Sequence, residues 1–286
     1  MGTVQFGKFY GIANQIGQVS QNEIKKILNY AWEIGVNTLD TAPSYGDSEL
    51  QLGNIGVREW NVISKLPIVL PETCSDVSGW VNESIINTLQ NLKIKRLKGL
   101  LLHRSQHILG GQGEKLLSAL ASLKSQGIVE KIGVSIYSPE ELDNLWPYFH
   151  PDLVQAPLNI FDRSLITSGW LSRLHQFGAE VHIRSIFLQG LLLMKPVQRP
   201  KFFNRWEALW RQWHFWLEQQ SISPLQACLG FASKQVEVDG VVIGVDSIKQ
   251  LDEIHLAMQH PGILPPDELI SEDHDLINPS RWIVTK

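Results

Sequence analysis

Short apolar runs alternate with longer amphipathic segments about eight times along the chain. Several of the short runs are rich in Val, Ile and Leu without polar alternation, which is typical of strands in a parallel sheet whose outer face is covered. The pattern predicts eight strands, at Thr3–Phe6, Asn37–Leu39, Asn61–Lys65, Gly99–His103, Lys131–Val134, Leu153–Gln155, Glu180–Arg184 and Gly240–Ile243.

The segments between these runs carry helix start signals. Ser20 and Glu23 have the spacing of a capping box, in which the Ser hydroxyl accepts a backbone N–H and the Glu side chain reaches back. The run from Ser138 to Glu141 repeats this arrangement and predicts a helix to about Trp146. Further helices are predicted at Ser48–Ile55, Asp76–Leu92, Gly113–Gln126, Thr167–Phe177, Pro224–Gln235 and Ser247–Gln259.

This repeated strand–helix alternation indicates an α/β fold, a (β/α)8 TIM barrel that forms a single domain over residues 1–286. A doubly wound open sheet is the alternative, and it would usually carry a glycine-rich phosphate loop after its first strand. The segment Phe6–Gly11 does not have the GxGxxG spacing of that loop. The barrel is therefore the favoured prediction.

Charge and composition exclude several classes of function. With 25 Lys and Arg against 29 Asp and Glu, the chain has a formal net charge of −4, so no dominant nucleic-acid or anionic-membrane surface is expected. Polar Gln5 and Asn14 fall where a secretory signal would be apolar, which favours a cytoplasmic protein. The two cysteines, Cys74 and Cys228, lie far apart in no metal-binding spacing, so neither a disulfide framework nor a metal site is expected.

Ionisable side chains fall at the ends of successive predicted strands. Asp40 follows the second strand, Lys65 ends the third and His103 ends the fourth, while Tyr45 lies in the loop after Asp40. The carboxyl ends of barrel strands share one mouth, so these four side chains are expected to converge there. An ammonium beside a phenol lowers the tyrosine pKa from its usual value of about 10.

The residues themselves therefore favour a tuned proton donor, with Lys65 lowering the pKa of Tyr45, Asp40 holding Lys65 in place and His103 orienting a carbonyl oxygen. Each residue also has a simpler interpretation. A strand-end Asp or Lys can be a structural ion pair, His103 can be a core histidine, and Tyr45 can be an aromatic of the rim.

Three motifs, in their order along the chain, resemble motifs of the aldo-keto reductase family. Gly35–Gly46 is similar to the second-strand signature of that family, Ile63–Lys65 to its lysine strand and Leu101–His103 to its histidine strand. The resemblance implies a (β/α)8 barrel that transfers hydride between a nicotinamide cofactor and a carbonyl or alcohol. It further implies that Tyr45 is the general acid, tuned by a nearby lysine and aspartate, and that the histidine positions the substrate.

The resemblance also implies a bound cofactor, either NADP(H) or NAD(H). Ser135 and Gln155 would hold the carboxamide, residues 184–192 the pyrophosphate, and residues 242–253 the adenosine. The cofactor-binding residues implied in this way are Thr3, Asp40, Ser135, Gln155, Arg184, Ser185, Phe187, Gln189, Gly190, Gly244, Asp246, Ser247, Gln250 and Glu253.

Several positions depart from the family pattern. Ile136 replaces the Asn that usually follows the serine, and Arg184 stands where an aromatic often stacks on the nicotinamide. Members that prefer NADPH carry Lys or Arg around the 2′-phosphate, whereas Asp246 and Gln250 occupy this stretch with Lys249 as its only cation. The sequence therefore predicts a weak cofactor preference or one tilted towards NADH.

A tryptophan-rich helical insertion is predicted after the seventh strand, either packed on the barrel or forming a substrate wall or partner surface. Its large apolar residues are Phe202, Phe203, Trp206, Leu209, Trp210, Trp213 and Trp216. A tail of about 26 residues follows the last predicted helix and contains Trp282, and in the family such a tail often borders the substrate pocket.

The favoured function is a nicotinamide-dependent carbonyl reductase acting on a small aldehyde, ketone or sugar-like substrate. The expected partners are therefore a small-molecule carbonyl or alcohol, with the chain a monomer or weak homo-oligomer that binds neither nucleic acid nor membrane. Two other classes stay open. One is an NADP(H)-binding redox-sensing or regulatory barrel with little turnover, and the other is a Schiff-base lyase that uses Lys65.

Overall fold

A computed structural model describes residues 1–14, 16–68, 74–260 and 262–283. Within these ranges a sheet of seven parallel strands follows the chain order, each strand pairing with the next, as expected for a (β/α)8 barrel. The strands are β1 Thr38–Asp40, β2 Asn61–Lys65, β3 Leu97–Leu102, β4 Val129–Ser135, β5 Leu153–Pro157, β6 Glu180–Arg184 and β7 Gly240–Val241. They lie at seven of the eight positions that the sequence predicts.

The predicted first strand, Thr3–Phe6, is wrong because Val4–Gly7 forms the short helix α1. Gly2 instead makes single β-bridges with Asp40 and with Gly244, so the chain start lies between the end of β1 and the segment that follows β7, and hydrogen-bonds to both. An apolar alternation of four residues fits one helical turn as well as a strand, so periodicity alone could not separate them.

Helices follow the strands around the outside of the sheet. The remaining ones are α2 Gln21–Glu33, α3 Ser48–Ile55, α4 Val77–Leu92, α5 Gly113–Ser125, α6 Glu140–Leu145, α7 Ser164–Thr167, α8 Trp170–Phe177, α9 Glu207–Gln220, α10 Pro224–Ser233, α11 Ile248–Ala257 and α12 His274–Ile277. The single helix predicted at Thr167–Phe177 is wrong in extent, because Gly169 adopts a left-handed φ of 77° and separates α7 from α8.

The predicted capping boxes form only in part. Ser20 accepts the N–H of Glu23, but the Glu23 carboxylate accepts the N–H of Ile248 at 3.1 Å instead of reaching back. At the start of α6 the reverse holds. The Glu141 carboxylate accepts the N–H of Ser138, but no side chain accepts a backbone N–H as a cap of the helix. The first of these differences ties α2 to the start of α11.

Inside the barrel, a layer of apolar side chains lies below a layer of polar ones. Ile63, Leu101 and Leu153 form their own buried cluster, separate from the larger core between the sheet and the helices. Side chains two residues apart on a strand point to the same face. Two residues further along these three strands come Lys65, His103 and Gln155. The strand period therefore sets these polar side chains above the apolar layer, at the carboxyl end of the sheet.

The tryptophan-rich segment forms a 3-10 helix, Lys201–Trp206, followed by α9. Trp210 and Trp213 are buried against Phe161, with ring centroids 5.1 and 6.0 Å from it. Trp282 of the tail packs edge-on against Phe203 at 4.9 Å. This segment therefore packs against the barrel through its buried aromatics.

No helix in the described part of the chain is both long enough and apolar enough to cross a membrane. Within the same ranges, His, Cys, Asp and Glu side chains form no group of three or more that could hold a metal ion.

Candidate active site

A cavity of about 630 Å³ opens at the carboxyl ends of the strands, and we call it the strand-end cavity. Its position matches the face of a barrel where ligands bind. The predicted site residues that line it are Thr3, Asp40, Tyr45, His103, Ser135, Gln155, Arg184, Ser185, Phe187, Gln189, Gly190, Gly244, Asp246, Gln250 and Glu253. Of the predicted set, Lys65 and Ser247 are not among the lining residues.

Lys65 and Asp40 form a buried ion pair at the base of the cavity. The ammonium lies 2.8 Å from both carboxylate oxygens of Asp40 and donates to the carbonyl of Thr41 at 3.1 Å. Burial alone would lower the pKa of Lys65, but the Asp40 carboxylate raises that pKa above its usual value. Lys65 is therefore a fixed positive charge.

Gln155 and Ser135 extend this network. Gln155 Nε2 donates to Asp40 Oδ2 at 2.7 Å, and the Ser135 hydroxyl lies 3.4 Å from Gln155 Oε1. Both residues line the cavity, so the structure brings the two predicted carboxamide ligands together. It also shows a contact that the sequence did not predict, the anchoring of Gln155 on the aspartate.

The position of Tyr45 is determined by close backbone packing of the loop after β1. A Cβ on Gly7 would lie 1.7 Å from the carbonyl oxygen of Tyr45, and Gly46 adopts a φ of 63° beside Gly7. Only glycine fits at these two positions. The loop thereby places the Tyr45 ring centroid 4.9 Å from the Lys65 ammonium.

Lys65 acts on the pKa of Tyr45 in the predicted, lowering direction, but the net shift of that pKa is upward. Burial raises the pKa of Tyr45 above 10, while the positive charge of Lys65 opposes that rise without reversing it. The sequence placed the lysine correctly but gave no measure of how deeply the phenol is buried. Tyr45 therefore stays protonated at neutral pH, as a proton donor requires.

His103 faces Tyr45 edge-on, with ring centroids 6.3 Å apart, and its Nδ1 lies 3.4 Å from the Ser44 hydroxyl. Burial, and then the charge of Lys65, lower the pKa of His103 to about 4. The imidazole is therefore neutral at physiological pH and can donate one hydrogen bond from whichever nitrogen carries the proton.

The opposite end of the cavity is acidic. Asp246 and Glu253 both line it, and burial raises the pKa of Asp246. Ser247 caps α11 by accepting the N–H of Gln250, whose Oε1 accepts the N–H of Asp246 at 2.7 Å. Lys249, the cation predicted for this region, is 85% exposed and lies 3.9 Å from Glu253.

The loop after β6 is held in an unusual backbone conformation. Ser185, Leu188 and Gln189 all have positive φ angles although none is glycine, and Gly190 follows at 89°. Such conformations are costly for side-chain-bearing residues and cluster at ligand-binding loops. This loop is the one that the sequence assigned to the pyrophosphate.

Several lining residues were missed by the sequence reasoning. They include Lys8, Tyr10, Asn14, Ser44 and Tyr137. The first three follow Gly7 in the loop at the chain start, and the rule that barrel sites gather on such loops could have flagged them. Tyr137 gave no signal, because its place under the Arg184 guanidinium, 4.8 Å away, is a tertiary contact.

The residues that line the cavity suit a nucleotide cofactor. Its lining runs from Tyr45 and His103 at one end to Asp246 and Glu253 at the other. A Cβ on Gly244 would lie 2.4 Å from the Gln5 amide. Gln5 Oε1 is itself buried and has no hydrogen-bond partner in the part of the chain that the structure describes. A buried, unpaired acceptor beside a glycine suits a ligand with hydroxyl or amide donors.

Comparisons with known proteins agree with this geometry. The aldo/keto reductase family model matches residues 1–268. The uncharacterized oxidoreductase YqkF of Bacillus subtilis (strain 168) is 27% identical over 195 residues, which make up 63% of this chain and 60% of that protein. The matched segment thus covers less than two thirds of that relative.

Solved structures show the same fold at lower identity. The holo form of the aldo-keto reductase AKR11C1 from Bacillus halodurans has a TM-score of 0.73 and 17% identity, covering 96% of this chain and 93% of that one. Its apo form has a TM-score of 0.65 at 17% identity, covering 94% and 99%. At this identity the likeness shows the fold alone.

Proposed function

Because the chain belongs to the aldo/keto reductase family, we propose that it is a nicotinamide-dependent carbonyl reductase in which Tyr45 protonates the substrate oxygen. The observation that carries this proposal is the Asp40–Lys65 ion pair beneath a protonated Tyr45 in the strand-end cavity. The substrate class is a small aldehyde, ketone or sugar-like carbonyl, as the size of the cavity allows.

The chain's own residues handle the proton. The reduced nicotinamide, when bound, would supply a hydride, that is, one proton and two electrons, to the carbonyl carbon. The Tyr45 hydroxyl gives its proton to the oxygen, so the carbonyl becomes an alcohol and the tyrosine a phenolate. Lys65, whose ammonium lies 4.9 Å from the centroid of the Tyr45 ring, stabilises that phenolate, and Asp40 keeps Lys65 in place. Solvent then returns the proton to Tyr45.

A Schiff-base mechanism has no support from this geometry. Lys65 is buried, contacts both oxygens of Asp40 and has a raised pKa, whereas a nucleophilic amine must lose its proton. A redox-sensing barrel with little turnover is likewise favoured by no particular contact. The discriminating experiment is steady-state oxidation of NADH and NADPH with a panel of aldehydes.

His103 orients the substrate in this proposal as a neutral donor, which leads to a prediction about pH. Since the pKa of His103 is about 4, its titration leaves no limb in the profile between about pH 5 and 8. We expect kcat/KM for aldehyde reduction to be flat across that range. A limb near pH 6.5 that disappears in His103→Gln would contradict a neutral His103.

The cofactor is held in this proposal by Ser135 and Gln155 at the carboxamide, by the loop after β6 at the pyrophosphate, and by α11 at the adenosine. The acidic end of the cavity favours NAD(H), because Asp246 and Glu253 would repel a 2′-phosphate and accept hydrogen bonds from ribose hydroxyls. The Lys249 side chain is 85% exposed, and its ammonium lies 3.9 Å from Glu253, so it offers only a solvated charge at this end.

Placing a guanidinium in the acidic end should reverse that preference. We expect Asp246→Arg to tighten NADPH binding by about 10- to 100-fold relative to NADH, since it removes a repulsion and adds a charge-assisted contact. The measurement is the dissociation constant of each cofactor by fluorescence quenching at fixed ionic strength. Asp239→Arg, outside the cavity lining, is the matched control. A hundredfold preference of the unaltered protein for NADPH would contradict this assignment.

A further inference from the structure

Fixed charges are segregated between the two ends of the strand-end cavity. Lys8 and Arg184 line the cavity near the reacting tyrosine, whereas Asp246 and Glu253 line the far end. The remaining carboxylate of the lining, Asp40, is neutralised by Lys65 at 2.8 Å. The reacting end therefore carries net positive charge.

Lys8 stands directly over the proposed proton donor. Its ammonium lies 5.9 Å from the centroid of the Tyr45 ring and donates to the carbonyl of Ser44 at 2.8 Å. A lysine has three donors, so this one backbone bond leaves capacity for a further acceptor. The side chain is exposed at the cavity mouth, where an arriving ligand can reach it.

Arg184 provides the second cation. Its Nη2 donates to the carbonyl of Ile136 at 2.8 Å and its Nη1 donates to the Ser185 hydroxyl at 3.3 Å, so both hydrogen-bond acceptors are neutral oxygens. The Arg184 guanidinium also lies 4.8 Å from the centroid of the Tyr137 ring, and the Arg104 guanidinium lies 6.0 Å from the same centroid. Tyr137 thus carries two guanidinium groups at the edge of the cavity.

The nearby carboxylates of Asp162 and Glu141 lie outside the cavity lining. Asp162 interacts with Arg184, but it lies outside the lining, accepts the hydroxyl and the N–H of Ser164, and has a pKa raised by burial. Glu141 accepts the N–H groups of Tyr137 and Ser138 and the Ser105 hydroxyl. Their hydrogen bonds come from neutral donors, and neither carboxylate meets a ligand inside the cavity.

We infer that the substrate is an aldehyde or ketone that carries an anionic group, a carboxylate or a phosphate, which binds Lys8 and Arg184 while its carbonyl oxygen meets Tyr45 and His103. This inference rests on the proposed reductase function and adds the charge of the substrate to it. The reaction itself is unchanged, because the anionic group takes no part in electron or proton transfer.

Matched pairs of substrates test the inference. One pair is para-carboxybenzaldehyde and its methyl ester, and the other is glyceraldehyde phosphate and glyceraldehyde, so that carboxylate and phosphate are examined separately. We expect kcat/KM to favour the anionic member of at least one pair by about tenfold or more, and raised salt to reduce that ratio. The pair with the larger ratio identifies the anion.

Equal kcat/KM for both members of both pairs would overturn this inference and leave the reductase proposal standing. No oxidation of cofactor with any of the four aldehydes, nor with a wider aldehyde panel, would overturn both. The two failures are therefore distinguishable in one set of assays.

A variant that removes one charge then tests whether Lys8 causes the preference for the anionic substrate. Lys8→Gln should lower the anionic-to-neutral ratio of kcat/KM by about tenfold, mainly through KM of the anionic member, since a partly exposed charge contact is of this size. Lys25→Gln, an exposed lysine on α2, is the matched control and should leave the ratio unchanged. An unchanged ratio in Lys8→Gln, or an equal loss in Lys25→Gln, would overturn the role of Lys8.

Discussion

Replacing Tyr45 with phenylalanine should lower kcat for aldehyde reduction by about 10²–10⁴-fold, the usual contribution of a positioned general acid. The change removes the hydroxyl that we propose protonates the substrate oxygen and keeps the ring that packs 6.3 Å from His103. Cofactor affinity should change little, because the change leaves Asp40 in place and the other predicted cofactor contacts lie outside the Tyr45 loop. Steady-state kinetics and fluorescence titration measure these two quantities separately.

The cavity offers two other tyrosines that could donate a proton, Tyr10 and Tyr137. Tyr137→Phe is therefore the sharpest comparison, and Tyr148→Phe, on an exposed tyrosine, controls for the substitution itself. A loss in Tyr137→Phe as large as that in Tyr45→Phe, or near-normal turnover of Tyr45→Phe, would contradict the assignment of Tyr45.

Lys65→Met should have the second large effect, a loss of both activity and stability. Removing the charge that stabilises the phenolate should lower kcat by about 10²–10³-fold. It also leaves the Asp40 carboxylate buried without its ion partner, which typically costs about 3–5 kcal/mol in the free energy of unfolding. Kinetics and urea unfolding are the measurements.

The pH profile separates a tuning role from a structural one. Because the Lys65 charge opposes the burial-driven rise in the pKa of Tyr45, its removal should raise that pKa further. Alcohol oxidation needs the phenolate, so its rate rises with pH, and in Lys65→Met this rise should move to higher pH. We would measure oxidation between about pH 6 and 10.

A double variant keeps this test valid if Lys65→Met folds poorly. Lys65→Met with Asp40→Asn removes both charges and should recover much of the lost stability, since no unpaired ion remains. It should not recover the rate or the original pH profile. An unchanged profile in a folded Lys65→Met variant would mean that Lys65 is structural.

Strand positions were predictable because buried parallel strands are continuous apolar runs. The bounds of β2 and β6 are those that the sequence predicts, and these strands carry Lys65 and Arg184 at their ends. The start of the chain was mispredicted because Gly2 pairs with two different strands through single bridges, which leave no periodic signal. Ordinary helix rules also could not foresee that Glu23 reaches α11.

Site composition was more predictable than site energetics. The residue types at strand ends and the family resemblance brought Asp40, Lys65, Tyr45 and His103 together, and the structure places them around one ion pair. The sign of the Tyr45 pKa shift depends on burial against the charge of Lys65, and a sequence contains neither quantity. The positive end of the cavity was missed for a similar reason, since Lys8 approaches Tyr45 only through tertiary packing.

Aldehyde-dependent loss of reduced-nicotinamide fluorescence in a single turnover tests the central claim most directly. The unaltered protein is loaded with NADH or NADPH, mixed with para-carboxybenzaldehyde, and compared with Tyr45→Phe loaded to the same cofactor occupancy. The account predicts rapid loss of fluorescence with the unaltered protein and a rate about 10²–10⁴-fold slower with the variant. Equal rates for the two loaded proteins would contradict it.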